Sequence, residues 1–200
     1  MSEFDTDKTR FIKYNDNLIN YYYFEKGLSE DQINKLEEQV KMLSPNLSEG
    51  NTSGIIDKSY RDSRIWWIPR KPEFQWLYDW IGTLIKKGND NMWNFDITHM
   101  NEQIQYTEYD AEYEGHYDWH VDIGGGSTSM RKISISIQLS DPSEYEGGEL
   151  QFFFKRHTVT APKSKGTAIL FPSFMLHKVN PITKGKRKCL VLWVSGPPFR

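Results

Sequence analysis

Cysteine is nearly absent from this chain of 200 residues: Cys189 is the single one. No intrachain disulfide is possible, and its apolar surroundings (Cys189-Leu190-Val191-Leu192-Trp193-Val194) suit a buried, inert thiol. No apolar run approaches the length of a transmembrane helix. The polar, acidic start Met1-Ser2-Glu3-Phe4-Asp5 lacks the basic and apolar segments of a secretory leader. A reducing, cytoplasmic setting is therefore expected, with no membrane partner. Charge of one sign is also missing. The net charge is −2, so no global field draws the chain to nucleic acid or to an anionic surface.

Aromatic residues are plentiful, and the length suits one domain with a sizeable core. Tyr21 to Phe24 reads as an early strand. Ser29-Glu30-Asp31-Gln32 has the form of a capping box, and Ile33, Leu36, Val40 and Leu43 follow at helical spacing, with Pro45 beyond. Residues 44–58, rich in Ser, Asn and Gly, read as a loop. Ile65-Trp66-Trp67-Ile68 reads as a strand. Pro72 then opens a second amphipathic helix carrying Trp76, Leu77, Trp80, Ile81, Leu84 and Ile85, with Gly88 as the expected C-cap and both tryptophans in the core.

Beyond Asn91 short strands are expected at 104–109, 117–121, 132–139, 149–154, 158–161, 167–171 and 189–194. Turns are expected at Gly124-Gly125-Gly126, Asp141-Pro142 and Lys184-Gly185-Lys186. Helices followed by a run of strands predict one α+β domain over 1–200. Residues 1–95 would be mainly helical support, and 96–200 a β-sandwich or jelly-roll core.

His120-Val121-Asp122 carries the chemistry. In a strand, side chains two apart face the same way, so His120 and Asp122 can share one metal. His116 and Asp118 have the same parity and form a second candidate pair. With His177 downstream, two imidazoles and one carboxylate can occupy one face of an octahedral Fe(II), leaving the other face for a co-substrate and O₂. Arg187 can be read as part of a solvated basic turn. Alternating into the interior of a strand, it would instead need an anion, such as the far carboxylate of a keto acid. His99 and His157 read as locally bonded surface histidines. Arg64, Trp66 and Trp67 could border a cleft and touch substrate, or simply pack.

Tyr109, Gly115, Tyr117, His120, Asp122, Arg131-Lys132-Ile133-Ser134, Leu139-Ser140 and Tyr145-Glu146-Gly147-Gly148-Glu149-Leu150 form one ordered series. It continues through Lys165-Gly166, Phe171-Pro172-Ser173, His177, Val179, Pro181, Thr183, Gly185, Arg187 and Trp193. This series, covering a little under half the chain, resembles the Fe(II)- and 2-oxoglutarate-dependent dioxygenases, in the prolyl 4-hydroxylase-like group that includes PKHD-type hydroxylases. The resemblance implies a double-stranded β-helix with the metal at its open end, held by His120, Asp122 and His177 rather than by His116 and Asp118. It implies Arg187 on the C5 carboxylate of 2-oxoglutarate, assisted by Tyr109 with Tyr106 as rival, and a co-substrate contact at Gln138. Trp193 and Tyr117 would stand beside the metal, while Tyr145–Leu150 reads as a structural turn. Further implications are ascorbate as reductant and a proline-containing peptide or protein as substrate, hydroxylated at C4. Free amino acids and other side chains remain open. A jelly-roll module that binds metal or ligand without turnover is the alternative from another class.

Overall fold

The computed structural model describes residues 20–43, 51–52, 55–154 and 156–199. The polar start of the chain and most of the expected 44–58 loop lie outside these. Ser29 caps the helix α1 (Glu30–Lys41) through both arms of a capping box with Gln32. The second helix, α2, spans Gln75–Met92. It does not stop at Gly88, which lies buried within it. A Cβ there would come within 2.7 Å of Leu170 Cδ2, so this glycine allows close approach of helix to sheet instead of ending the helix. Trp76 packs on the core as expected, but Trp80 is 39 % exposed and donates its indole N–H to Gly27 O.

The strands form two main sheets. The larger has seven, in the order β1 (Tyr22–Phe24), β12 (Ala168–Pro172), β8 (Arg131–Gln138), β14 (Ile182–Ser195), β6 (Ile104–Asp110), β5 (Arg64–Ile68), with β9 (Tyr145–Gly147) pairing the start of β14. The smaller runs β11 (His157–Thr160), β10 (Leu150–Phe154), β13 (His177–Val179), β7 (His116–His120), β4 (Arg61–Asp62). A separate hairpin joins β2 (Asn51–Thr52) to β3 (Ile55–Ile56). All pairings are antiparallel, the expected jelly-roll arrangement. The N-terminal part is not only helical support, because β1, β4 and β5 extend both sheets. No helix among the described residues is long and apolar enough to cross a membrane.

Period-two alternation in the large sheet sorts its two faces. Ile133, Ile135, Ile137, Leu190 and Leu192 join Leu36, Leu77 and Ile81 in one core under the helices. The opposite face carries Ser134, Ser136 and Gln138 on β8 and Arg187 and Cys189 on β14. There it meets the small sheet, in a second core built on Phe152, Phe171 and Val179. The expected turn at 184–186 does not interrupt the chain. β14 runs through it as one strand of 14 residues, with a register shift against β9 between Ile182 and Lys184 and Gly185 at φ +68° just beyond.

Candidate metal and keto-acid site

The antiparallel pairing of β7 with β13 sets His120 directly opposite His177. Asp122 lies just past the end of β7, where its N–H donates to Ser173 O at 2.8 Å. The three side chains are almost fully buried, and one ligand atom from each falls within 4.8 Å of the others. His120 Nε2 is 3.8 Å from Asp122 Oδ1, and His177 Nε2 is 3.6 Å from Oδ2.

Hydrogen bonds fix the tautomers. His120 Nδ1 lies 2.7 Å from Asp118 O, and His177 Nδ1 lies 2.8 Å from Met175 O. A carbonyl can only accept, so each Nδ1 carries a proton, and in the neutral ring each Nε2 presents its lone pair to the cluster. Asp122 is held as firmly: its Oδ2 accepts from Ser134 Oγ at 2.6 Å, which lies 3.0 Å from Ser173 Oγ. Its backbone carbonyl accepts from Arg131, whose guanidinium pairs with Glu102 and stacks 3.8 Å over the Trp193 ring.

Burial pushes the His120 ring down to about 3, helped by the neighbouring His177. Burial alone would raise the Asp122 carboxyl. The two imidazoles, the Ser134 hydroxyl and the Trp193 indole outweigh it and hold Asp122 below the usual carboxylate range. Two imidazoles and one carboxylate make a donor set suited to a divalent transition metal.

The His120 shift has a consequence for stability. An unfolded histidine titrates near ~6.5, whereas this one stays neutral to about 3. Between those values the unfolded chain binds a proton that the native site refuses. Metal-free stability should therefore fall as pH drops below ~6.5, by up to about 1.4 kcal/mol per pH unit from this group. Thermal melts of wild type and His120→Gln between about pH 7.5 and about pH 5 would show it. The wild type should lose more Tm on acidification, and equal slopes would remove His120 as the cause.

A cavity of about 670 Å³ extends from the triad between the two sheets. At its inner end lies Arg187, 1 % exposed and opposite Tyr109 in the β14–β6 register. Its Nε donates to Gln138 Oε1 at 3.2 Å, and Nη1 reaches only Cys189 Sγ at 3.7 Å. Among the described residues neither Nη2 nor the buried Tyr145 hydroxyl makes a hydrogen bond of good geometry, and the two groups lie close enough to interact with each other. A desolvated guanidinium with donors to spare is a standing demand for an anion. Burial pushes the Tyr109 hydroxyl up to about 12, despite the two arginines nearby, so it remains a neutral donor.

His120, Asp122, His177, Arg187, Tyr109, Tyr117, Trp193 and Trp67 all line this one cavity. Gln138 reaches it only through Arg187. Tyr106, the rival of Tyr109, points to the opposite face of β6 and bonds Glu37. Arg64 and Trp66 also lie off the cavity: Arg64 is exposed beside Glu108 and Tyr113, and Trp66 packs edge-on against Tyr106. Of the three, only Trp67, on the opposite side of the strand, lines the cavity. His116 binds two backbone carbonyls, Glu114 O and Ser59 O, while Asp118 accepts from Trp119 N, so this pair is no metal site. His99 bonds Thr98, and His157 is exposed, as expected of surface histidines.

Sequence reasoning missed two residues. Tyr145 comes from the stretch read as a turn, and its ring is brought to Arg187 by the β9–β14 pairing. Arg61 lines the cavity from β4. Its signal was a cation four residues before the apolar run 65–68.

Residues 104–195 match the family model of the 2OG-Fe(II) oxygenase superfamily. Part of the chain is 40% identical over 94 residues to a PKHD-type hydroxylase of Herminiimonas arsenicoxydans, covering 42% of this chain and 41% of that protein. A PKHD-type hydroxylase of a Polaromonas species is 32% identical over 125 residues, covering 58% and 55%. The matched stretches thus span about half, or less, of these curated relatives. The fold is similar to a Pseudomonas putida prolyl-4-hydroxylase (TM-score 0.69, 17% identity, 88% of this chain and 92% of that one). It is also similar to a Trichoplax adhaerens prolyl hydroxylase in complex with a hypoxia inducible factor peptide fragment (TM-score 0.73, 17% identity, 98% and 94%). The segment that matches the 2OG-Fe(II) oxygenase superfamily model, residues 104–195, is the one that holds the His120–Asp122–His177 cluster and Arg187.

Proposed function

We propose that this chain is an Fe(II)- and 2-oxoglutarate-dependent dioxygenase that hydroxylates a peptidyl proline at C4. One observation carries the reading: a buried triad with both Nε2 atoms turned to the cluster opens on the same cavity as a buried guanidinium with an unused donor. The peptide substrate is supported by the peptide in the Trichoplax complex, and the hydroxylase class by the PKHD-type relatives. A cytoplasmic location, with Cys189 as a buried free thiol, and ascorbate as reductant belong to the same reading.

His120, Asp122 and His177 would hold Fe(II). Bound iron with 2-oxoglutarate supplies the oxidising chemistry, consuming O₂, releasing succinate and CO₂, and leaving one oxygen atom on the substrate carbon. The chain's own side chains do the rest. Arg187 binds the C5 carboxylate of 2-oxoglutarate through the donors it does not spend on Gln138. Tyr109 and Tyr145 offer neutral hydroxyls to the same oxygens. Ser134 and Arg131 keep Asp122 from rotating. Tyr117, stacked on the His120 ring, and Trp193 wall the site against water.

Tyr109→Phe should raise the KM for 2-oxoglutarate by about tenfold, the loss of one hydrogen bond to a charged group. Tyr106→Phe should leave it unchanged, because that hydroxyl is spent on Glu37. Steady-state succinate release measures both, and the opposite order would exchange their roles. The reading as a whole is tested by mass spectrometry of proline-containing peptides incubated with the chain, Fe(II), 2-oxoglutarate and ascorbate. A product heavier by one oxygen atom, absent when 2-oxoglutarate is omitted, is expected. Failure to release succinate under any condition would favour a binding module without turnover.

A further inference from the structure

The cavity holds a second guanidinium that the proposed reaction does not use. Arg61 is 8 % exposed, and its side chain faces the cavity rather than the surface. Its Nε donates to Ser63 Oγ at 3.0 Å, and Nη2 reaches Gln105 Oε1 only at 3.5 Å. The plane lies 4.4 Å over the ring of Tyr117, which is itself stacked at 3.4 Å on His120. Among the described residues no carboxylate forms an ion pair with it; those near the site serve other cations, Glu102 with Arg131 and Glu108 and Asp110 with Lys186. Asp62, next in the strand, has the opposite parity and pairs across to His116.

Counting charge makes the point. Fe(II), the Asp122 carboxylate, the Arg187 guanidinium and the two carboxylates of 2-oxoglutarate cancel one another. The fully loaded site is neutral without Arg61, so Arg61 leaves one positive charge uncompensated in a largely desolvated cavity. Such a charge is costly unless an anion meets it.

We propose that Arg61 binds a carboxylate of the substrate, so that the hydroxylated residue enters the cavity with a negative charge close to its reacting carbon. The inference rests on the oxygenase reading but not on its peptidyl substrate: a peptidyl proline would have to be the C-terminal residue, and a free amino acid would replace it. The favoured substrate is an amino acid or the C-terminal residue of a peptide, and an uncharged residue in mid-chain is disfavoured. Arg61 acts as a binding group, with its guanidinium held against the ring of Tyr117.

The test uses the whole chain loaded with Mn(II) and 2-oxoglutarate, which binds without turning over. N-acetyl-L-proline, N-acetyl-L-prolinamide and free L-proline are titrated calorimetrically. The acid should bind at least about tenfold more tightly than the amide, the worth of one modest charge-assisted contact. Arg61→Gln should bring the acid to the level of the amide while leaving 2-oxoglutarate affinity within about twofold. Arg61→Lys should keep part of the preference. Free L-proline binding as well as the acetylated acid would identify a free amino acid as the source of the carboxylate, and weaker binding a peptide C-terminus. Equal affinity of acid and amide, no saturable binding of either, or a preference that survives in Arg61→Gln would each overturn the assignment. The wild-type acid–amide comparison stands even if the glutamine variant does not fold. Failure of 2-oxoglutarate itself to bind the Mn(II)-loaded chain would sink the oxygenase reading instead.

Discussion

Replacing His120 or Asp122 with alanine should weaken metal binding by more than about a hundredfold, beyond the 10–100-fold cost of losing only a supporting contact. Each change removes one of three donors from a site where few others are within reach. Asp122→Ala costs more, since it also deletes the negative charge that offsets the cation and strands the Ser134 hydroxyl in a buried pair with Ser173. His116→Ala and Asp118→Ala serve as controls of the same residue types at the same spacing. Their side chains are spent on backbone groups, so metal affinity should not change. Titration with Mn(II) or Co(II) reads all four. Wild-type affinity in either ligand variant would move the metal elsewhere.

Much of this site was legible because two rules act locally. Strand parity allowed either His120 and Asp122 or His116 and Asp118 to share a target, the family resemblance chose the first pair, and the demand of a buried cation for an anion drew attention to Arg187. The jelly roll followed from helices first and short strands after. The misses share one physical origin. Where both faces of a strand are covered, as on β5 and β6, composition does not say which face meets the cavity. Trp66 and Trp67, or Tyr106 and Tyr109, then look alike, and only the packing of α1 and α2 on one side separates them.

Glycine was ambiguous in the same way. Gly88 and Gly185 read as a cap and a turn, yet each answers to a neighbour distant in sequence, Leu170 in the first case and Glu144 in the second. Tyr145 and Arg61 sit on strands of only three and two residues, whose registers are set by their partners. Nothing local announces which way such side chains point.

Arg187 gives the other large effect, with opposite signs in two measurements. In Arg187→Met the aliphatic length is kept and the charge is lost. Affinity for 2-oxoglutarate should fall by at least about a hundredfold, within the 2–5 kcal/mol range that truncating one partner of a buried charge pair costs. Without metal or 2-oxoglutarate, however, the same variant should melt no lower than wild type. The native guanidinium is buried without a carboxylate, and replacing an uncompensated buried charge with an apolar side chain of similar volume is neutral or stabilising. The loss of the donor to Gln138 Oε1 works against this by about 1 kcal/mol. Thermal melts separate the two effects. Wild type should gain Tm on adding Mn(II) and 2-oxoglutarate, by the ~2.7 kcal/mol that a ligand at a hundred times its Kd contributes. The variant should respond to Mn(II) alone and not to the keto acid. If the keto-acid shift persists in Arg187→Met, the carboxylate is anchored elsewhere, and Arg61 is the one other buried guanidinium that lines the cavity among the described residues.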